Sequence, residues 1–180
     1  GKHRLWQTKE KPPVHSHRTL QDTDERMSED LRQYLQSLSE YRKEGKNGCI
    51  VMNCNPFTLG HQYLVEYASK KVDHLYLFVV EEDKSFFPFR DRFELVKKGV
   101  EKFANVEVLP SGRFIISAYT FPGYFLKDGN KEIEMDASMD VEIFGKYIAK
   151  ALDIRVRFVG EEPNDYVTRM YNDQMKTILP

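Results

Sequence analysis

One short stretch brings together the side chains that phosphate chemistry needs: Asn53-Cys54-Asn55-Pro56-Phe57-Thr58-Leu59-Gly60-His61. Thr58 offers a hydroxyl donor, and Gly60, without a side chain, lets a phosphate approach the backbone closely. Pro56 stiffens the turn and biases Asn55 towards an extended conformation. A helix opening at Gly60 would present unpaired N–H groups and about half a positive charge, which suits an anion. His61, one turn in, would point its imidazole back at that anion. No Gly-Lys-Ser/Thr follows, so the stretch is not a P-loop, and its single glycine excludes the dinucleotide fingerprint. A purely structural use of His61, capping or packing the helix start, remains open at this point.

The surrounding periodicities supply the elements that would hold this loop. Cys49-Ile50-Val51-Met52 reads as a short buried strand, and residues 60–72 as a helix with Leu64, Val65, Ala68 and Val72 on one face. A second strand is expected over 74–80, a helix over 90–103, a third strand over 106–109 and a helix over 137–152. A fourth strand over 154–159 and a helix from about 165 to 178 complete the pattern. Strands alternating with helices predict a Rossmann-like α/β fold, a parallel sheet covered on both faces. Ligands of such sheets bind beyond the carboxyl ends of the strands. That is where the Thr58–His61 stretch falls.

Ahead of this domain, residues 1–47 read as a tail and an amphipathic helix. Residues 1–21 carry five bases against the single acid Glu10, with a Pro12-Pro13 break, and are expected to lack a stable fold. His15 and His17 lack the further ligands that a zinc site wants. Met27, Leu31, Tyr34, Leu38 and Tyr41 form an apolar stripe on a helix expected over 22–44, begun by Asp22 and Glu25 in the manner of a capping box. The stripe packs either on its own domain or against a second chain as a dimer.

Composition narrows the function. The 180 residues suit one domain or one domain with an appendage. With 28 acids against 27 bases the net charge is −1, which argues against bulk binding to nucleic acid or an anionic membrane. The longest apolar run, Leu75–Val80, is six residues, far short of a membrane span. Cys49 and Cys54 would lie roughly 16 Å apart on an extended strand, too far to bridge. A cytoplasmic setting is the expectation.

In its Thr-x-Gly-His form, preceded by Asn55-Pro56-Phe57, the Thr58–His61 stretch resembles the signature of the HxGH nucleotidyltransferase superfamily. Residues 50–63, 82–92 and 114–125 resemble the C-terminal domain of the citrate (pro-3S)-lyase ligase family. So do Asp140–Phe144 and Phe158–Pro163 with Val167-Thr168 and Tyr171-Asn172, and together these cover most of 48–175. The resemblance implies an enzyme that uses ATP to activate acetate, a short carboxylate, and acetylates the thiol of citrate lyase's prosthetic group, releasing AMP and pyrophosphate. Its partners would be ATP with Mg2+ carried on the triphosphate, the carboxylate and the acyl carrier subunit of citrate lyase. The implied chemistry is in-line attack of the acceptor oxyanion on the α-phosphorus, with His61 and Thr58 as catalytic donors.

Nucleotide contacts are expected from Asn55, Phe57, Gly60, Arg92 and the Gly160-Glu161 loop. Ser117 and Thr120, with the nearby aromatics, are expected to line the acceptor pocket. For Arg92 the alternative is a solvated helix charge paired with Asp91 or Glu94. Two departures accompany the resemblance. Residues 1–47 are too few for the acetyltransferase-like domain that precedes this one in the family, and no late Ile-Ser-x-x-x-x-Arg motif occurs before Pro180. Either the domain is cut short at its C-terminus or the element has been lost. Transfer to a phosphorylated or sugar-alcohol acceptor, and nucleotide binding without turnover, therefore stay as alternatives.

Overall fold

The computed structural model describes residues 17–81, 86–117, 119–121 and 137–160, with Asn172 and Met175, and side chains from residue 28 onward. Helix α1 spans His17–Ser39, followed by strand β1, Asn47–Met52, and helix α2, Leu59–Ser69. Strand β2 is His74–Val79, helix α3 Phe89–Val100 and strand β3 Val106–Pro110. Ser138–Ile143, a π-helical turn over Phe144–Ile148 and Ala149–Ala151 run on as one helix, α4, before strand β4, Ile154–Phe158. The expected strands and helices up to β4 are all present, with ends displaced by a few residues. The helix expected over 165–178 lies outside the described residues apart from Asn172 and Met175.

The four strands are parallel and ordered β3-β2-β1-β4. Ile50 stands beside Leu77 of β2 on one side and Phe158 of β4 on the other. From β1 the chain steps outward through β2 and β3, then returns past β1 to add β4. The strand order therefore reverses between β1 and β4, and the crevice at their carboxyl ends is the place such sheets offer a ligand.

The period-two alternation of the strands divides the core in two. Cys49, Tyr76, Phe78 and Leu109 face α4 and α1, where they meet Leu38, Phe144, Ile148 and Leu152. Ile50, Met52, Leu75, Leu77 and Val79 face α2 and α3, against Val65, Ala68, Val96 and Val100. Residues apolar on both sides of the pleat are what a sheet covered on both faces requires.

Helix α1 belongs to this core. Leu38 is 2% exposed, and Leu31, Tyr34 and Leu35 pack against the same cluster. The Tyr34 ring lies 5.4 Å from Phe114, and its hydroxyl donates to the Pro110 carbonyl at 2.8 Å. Beyond the helix, the Tyr76 hydroxyl donates to the Tyr41 carbonyl at 2.6 Å and accepts from the Lys43 N–H at 3.1 Å. Of the two uses open to the stripe, packing on its own domain is the one seen at Leu31, Tyr34 and Leu38. The helix runs from His17 to Ser39, so Asp22 and Glu25 lie within it rather than at its start. Leu38→Ala is expected to cost about 2–5 kcal/mol, as for other buried leucines. A drop in the urea midpoint checks this, and a change below about 1 kcal/mol would mean that α1 is an appendage.

Candidate active site

The β1–α2 turn is built by a reciprocal cap. Thr58, extended at φ −109° and ψ 171°, is the N-cap of α2. Its hydroxyl accepts from the His61 N–H at 3.4 Å, and its own N–H donates to His61 Nδ1 at 3.0 Å. A backbone N–H can only donate, so Nδ1 presents a lone pair and the imidazole proton resides on Nε2. The ring is thereby held at Nδ1, with its N–H on Nε2. The structural and chemical readings of His61 are compatible: the cap fixes the tautomer that the chemistry would use.

Around this cap the helix start is suited to an anion. The first-turn N–H groups of an α-helix have no partner within it. No acidic residue stands in the first turn of α2 to neutralise their charge. Gly60 is exposed, and a Cβ built there would meet nothing closer than the Thr58 hydroxyl at 3.6 Å. The chain's own packing therefore has no use for glycine at this position, although glycine in a helix costs about 0.5–1 kcal/mol relative to alanine. Gly60→Ala is expected to raise the unfolding free energy by up to about 1 kcal/mol, read as a higher urea midpoint.

The residues ahead of the cap are pinned from below. Arg92 of α3, expected either as a phosphate ligand or as a solvated charge, is neither exposed nor paired with Asp91 or Glu94: it is 0% exposed. One terminal nitrogen, Nη1, donates to the carbonyls of Asn53 at 2.6 Å and Val80 at 2.8 Å and to Asn53 Oδ1 at 3.1 Å. Its Nε donates to the Phe87 carbonyl at 3.0 Å. The guanidinium thus ties the carboxyl ends of β1 and β2 to the segment entering α3. Asn55 adds a second tie, its Oδ1 accepting from the Phe87 N–H at 3.2 Å. Between them Cys54 adopts a positive φ of 56°, a conformation that persists in non-glycine residues only where the surroundings enforce it. Its thiol is buried, which pushes it up to about 12 against the pull of Arg92. It is therefore a thiol rather than a thiolate near neutrality.

Phe57 is partly buried against the α2–α3 side of the core, and its ring stacks on His61 at 5.8 Å between centroids and 17° between planes. Gly160 is exposed just beyond β4, where a Cβ would come within 3.9 Å of Leu64 on α2. Glu161 lies outside the described residues. Thr58, Gly60, His61, Phe57 and Asn55 thus share one turn, with Arg92 beneath it.

Ser117 and Thr120 are not open pocket walls. Both are 0% exposed, and the Thr120 hydroxyl donates to Asp140 Oδ1 at 2.6 Å. The Ser117 and Thr120 side chains lie 3.1 Å apart, and each accepts from the other residue's N–H at 3.2 Å. The Ile116 N–H donates to the same Asp140 oxygen. Spent inside the fold, these hydroxyls fasten the loop after β3 to the start of α4. Asp140 enters the sequence reading only as the start of the Asp140–Phe144 stretch, because its partners lie 20 and 24 residues away.

A separate cleft runs along β4, lined among others by Lys146, Lys150, Asp153, Arg155 and Arg157. Neither Thr58, Gly60 nor His61 contributes to it. Among the described residues no three His, Cys, Asp or Glu side chains converge as a metal site would require. Nor is any described helix long and apolar enough to cross a membrane.

A parallel sheet of this order, with the Thr58–His61 helix start at its reversal point, is a Rossmann-like α/β domain. Residues 47–180 match the family model described as the citrate lyase ligase C-terminal domain, and the chain belongs to that family. It is 45% identical over 156 residues to the citrate (pro-3S)-lyase ligase of Klebsiella pneumoniae, a match spanning 86% of this chain and 46% of that protein. The chain therefore spans about half the length of this curated relative. It is also 28% identical over 115 residues to a phosphopantetheine adenylyltransferase of Streptococcus agalactiae, covering 61% of this chain and 70% of that one. Among solved structures, NadR in complex with NAD and AMP-PNP overlaps with a TM-score of 0.47 and 16% identity, over 77% of this chain and 36% of that chain.

Proposed function

We propose that this chain carries the adenylyl-transfer site of a citrate lyase ligase. In this reading a carboxylate oxygen of acetate attacks the α-phosphorus of ATP. The bond from that phosphorus to the bridging oxygen breaks, and pyrophosphate leaves. The thiol of the lyase's prosthetic group, losing its proton to solvent, then attacks the acyl carbon and displaces AMP. Acetate is already ionised near neutral pH, so the first step asks for donors rather than a base.

The observation that carries this reading is the His61 ring, held at Nδ1 by Thr58, beside a helix start free of first-turn acids. Such an arrangement favours an anion by backbone dipoles and one side-chain donor. The β-phosphate is the fitting occupant, with Gly60 leaving room for it and Thr58 close by. Phe57 and Asn55 hold the turn, while Gly160, just beyond β4, and Glu161 after it in sequence would meet the adenine edge. Mg2+ would arrive on the triphosphate, since hard oxygen ligands of that kind suit it. The carrier subunit of citrate lyase, and a cytoplasmic setting in which two free buried cysteines persist, belong to the same proposal.

Mixing ATP with acetate and following pyrophosphate tests it, with acetate-dependent release as the expected result. If Gly60 is kept for the nucleotide, the more stable Gly60→Ala chain should also bind ATP more weakly. Unchanged affinity would remove the glycine from the site. The adenylyltransferase relative favours one competing reading, transfer of AMP to a phosphorylated acceptor. A panel of acceptors separates the two: pyrophosphate release with phosphopantetheine and none with acetate would reverse the choice.

A further inference from the structure

We infer that Gly99, in the last turn of α3 on the face towards α2, is a positioning residue for the His61 imidazole and acts through the Phe57 ring; its consequence for turnover rests on the role proposed for His61. A Cβ built on Gly99 would stand 2.7 Å from Phe57 Cδ1 and closer still to Cε1. Real side chains do not tolerate such a contact, so the missing side chain is the seat of the ring. That ring in turn backs His61, the planes being 17° from parallel. A second link fixes the same contact, because Gln62, the residue after His61, donates from Nε2 to the Gly99 carbonyl at 3.0 Å. The imidazole is therefore held from two sides, by the Thr58 N–H at Nδ1 and by a ring that rests on α3. Glycine in the last turns of a helix is otherwise unfavourable, and no positive φ requires it at this position.

An alanine at Gly99 has to displace the Phe57 ring, and the stacked imidazole moves with it. Displacements of about 1 Å at a reacting group cost on the order of 100-fold in rate. Two readouts on the intact chain test the inference. The nitrogen NMR shifts of His61, recorded without nucleotide, are expected to show one tautomer in the wild type and a mixture in Gly99→Ala. The kcat for acetate-dependent AMP formation is expected to fall about 10–100-fold with little change in KM for ATP. Phe57→Ala, which removes the ring without adding bulk, should reproduce both effects, and adding Gly99→Ala to it should cost nothing further. An unchanged His61 nitrogen pattern and kcat in Gly99→Ala would overturn the inference, as would an equal cost of the alanine with and without the ring. If the wild type forms no AMP at all, the proposed function fails while the nitrogen shifts still decide the seat.

Discussion

Replacing His61 by alanine is expected to lower ATP-dependent pyrophosphate release 10²–10³-fold, about 2.7–4 kcal/mol of transition-state stabilisation. The substitution also breaks the cap, leaving the Thr58 N–H without its acceptor, so alanine alone confounds stability with chemistry. Glutamate separates them. A glutamate three residues after an N-cap threonine completes a capping box and suits the positive helix end. His61→Glu should therefore fold at least as stably as the wild type by urea midpoint. With a negative charge where a donor stood, it should release no more pyrophosphate than the alanine variant. A His61→Glu chain that retains activity would show that only the cap matters.

Arg92→Met is expected to be the most destabilising of these substitutions, at about 3–5 kcal/mol in urea unfolding. Methionine fills the volume, but the carbonyls of Asn53, Val80 and Phe87 lose the charged donor that now satisfies them. Hydrogen bonds to charged groups contribute about 1.5–3 kcal/mol each, and buried acceptors left bare incur their full desolvation cost. Lysine should fall between, because one ammonium reaches Asn53 and Val80 but supplies no planar Nε for Phe87. The loss should appear first in the turn before Thr58, where Cys54 is held at positive φ, and only through it in nucleotide binding. Should Arg92→Met unfold within 1 kcal/mol of the wild type yet bind ATP far more weakly, the arginine would be a direct ligand as its position in sequence suggests.

The contrast between His61 and Arg92 indicates what a sequence makes visible. The Thr58–His61 cap spans four residues, and its chemistry lies in local spacing, so the turn was legible from the sequence. The parallel sheet was legible because short strands alternate with helices along the chain, and Leu75–Val80 runs apolar without interruption as a strand covered on both faces does. Arg92 reads as one charge among several in Phe89-Arg90-Asp91-Arg92. Only the fold turns it inward, towards acceptors 12 and 39 residues away. Ser117 and Thr120 misled for the same reason: a hydroxyl near a strand end looks like a pocket wall until Asp140 is brought beside it. Helix α1 was ambiguous because a narrow apolar stripe fits a partner chain and an intramolecular face equally well. The pairing of Gly99 with Phe57 left no sequence signal beyond a glycine in a helix.

The central claim is that the triphosphate sits at the start of α2. Titrating the isotopically labelled chain with a non-hydrolysable ATP analogue, and following amide shifts residue by residue, tests it most directly. The account predicts the largest shifts at Thr58, Leu59, Gly60 and His61. Shifts gathered instead along the β4 cleft at Lys146, Lys150 and Arg155, with the Thr58–His61 amides unmoved, would contradict it.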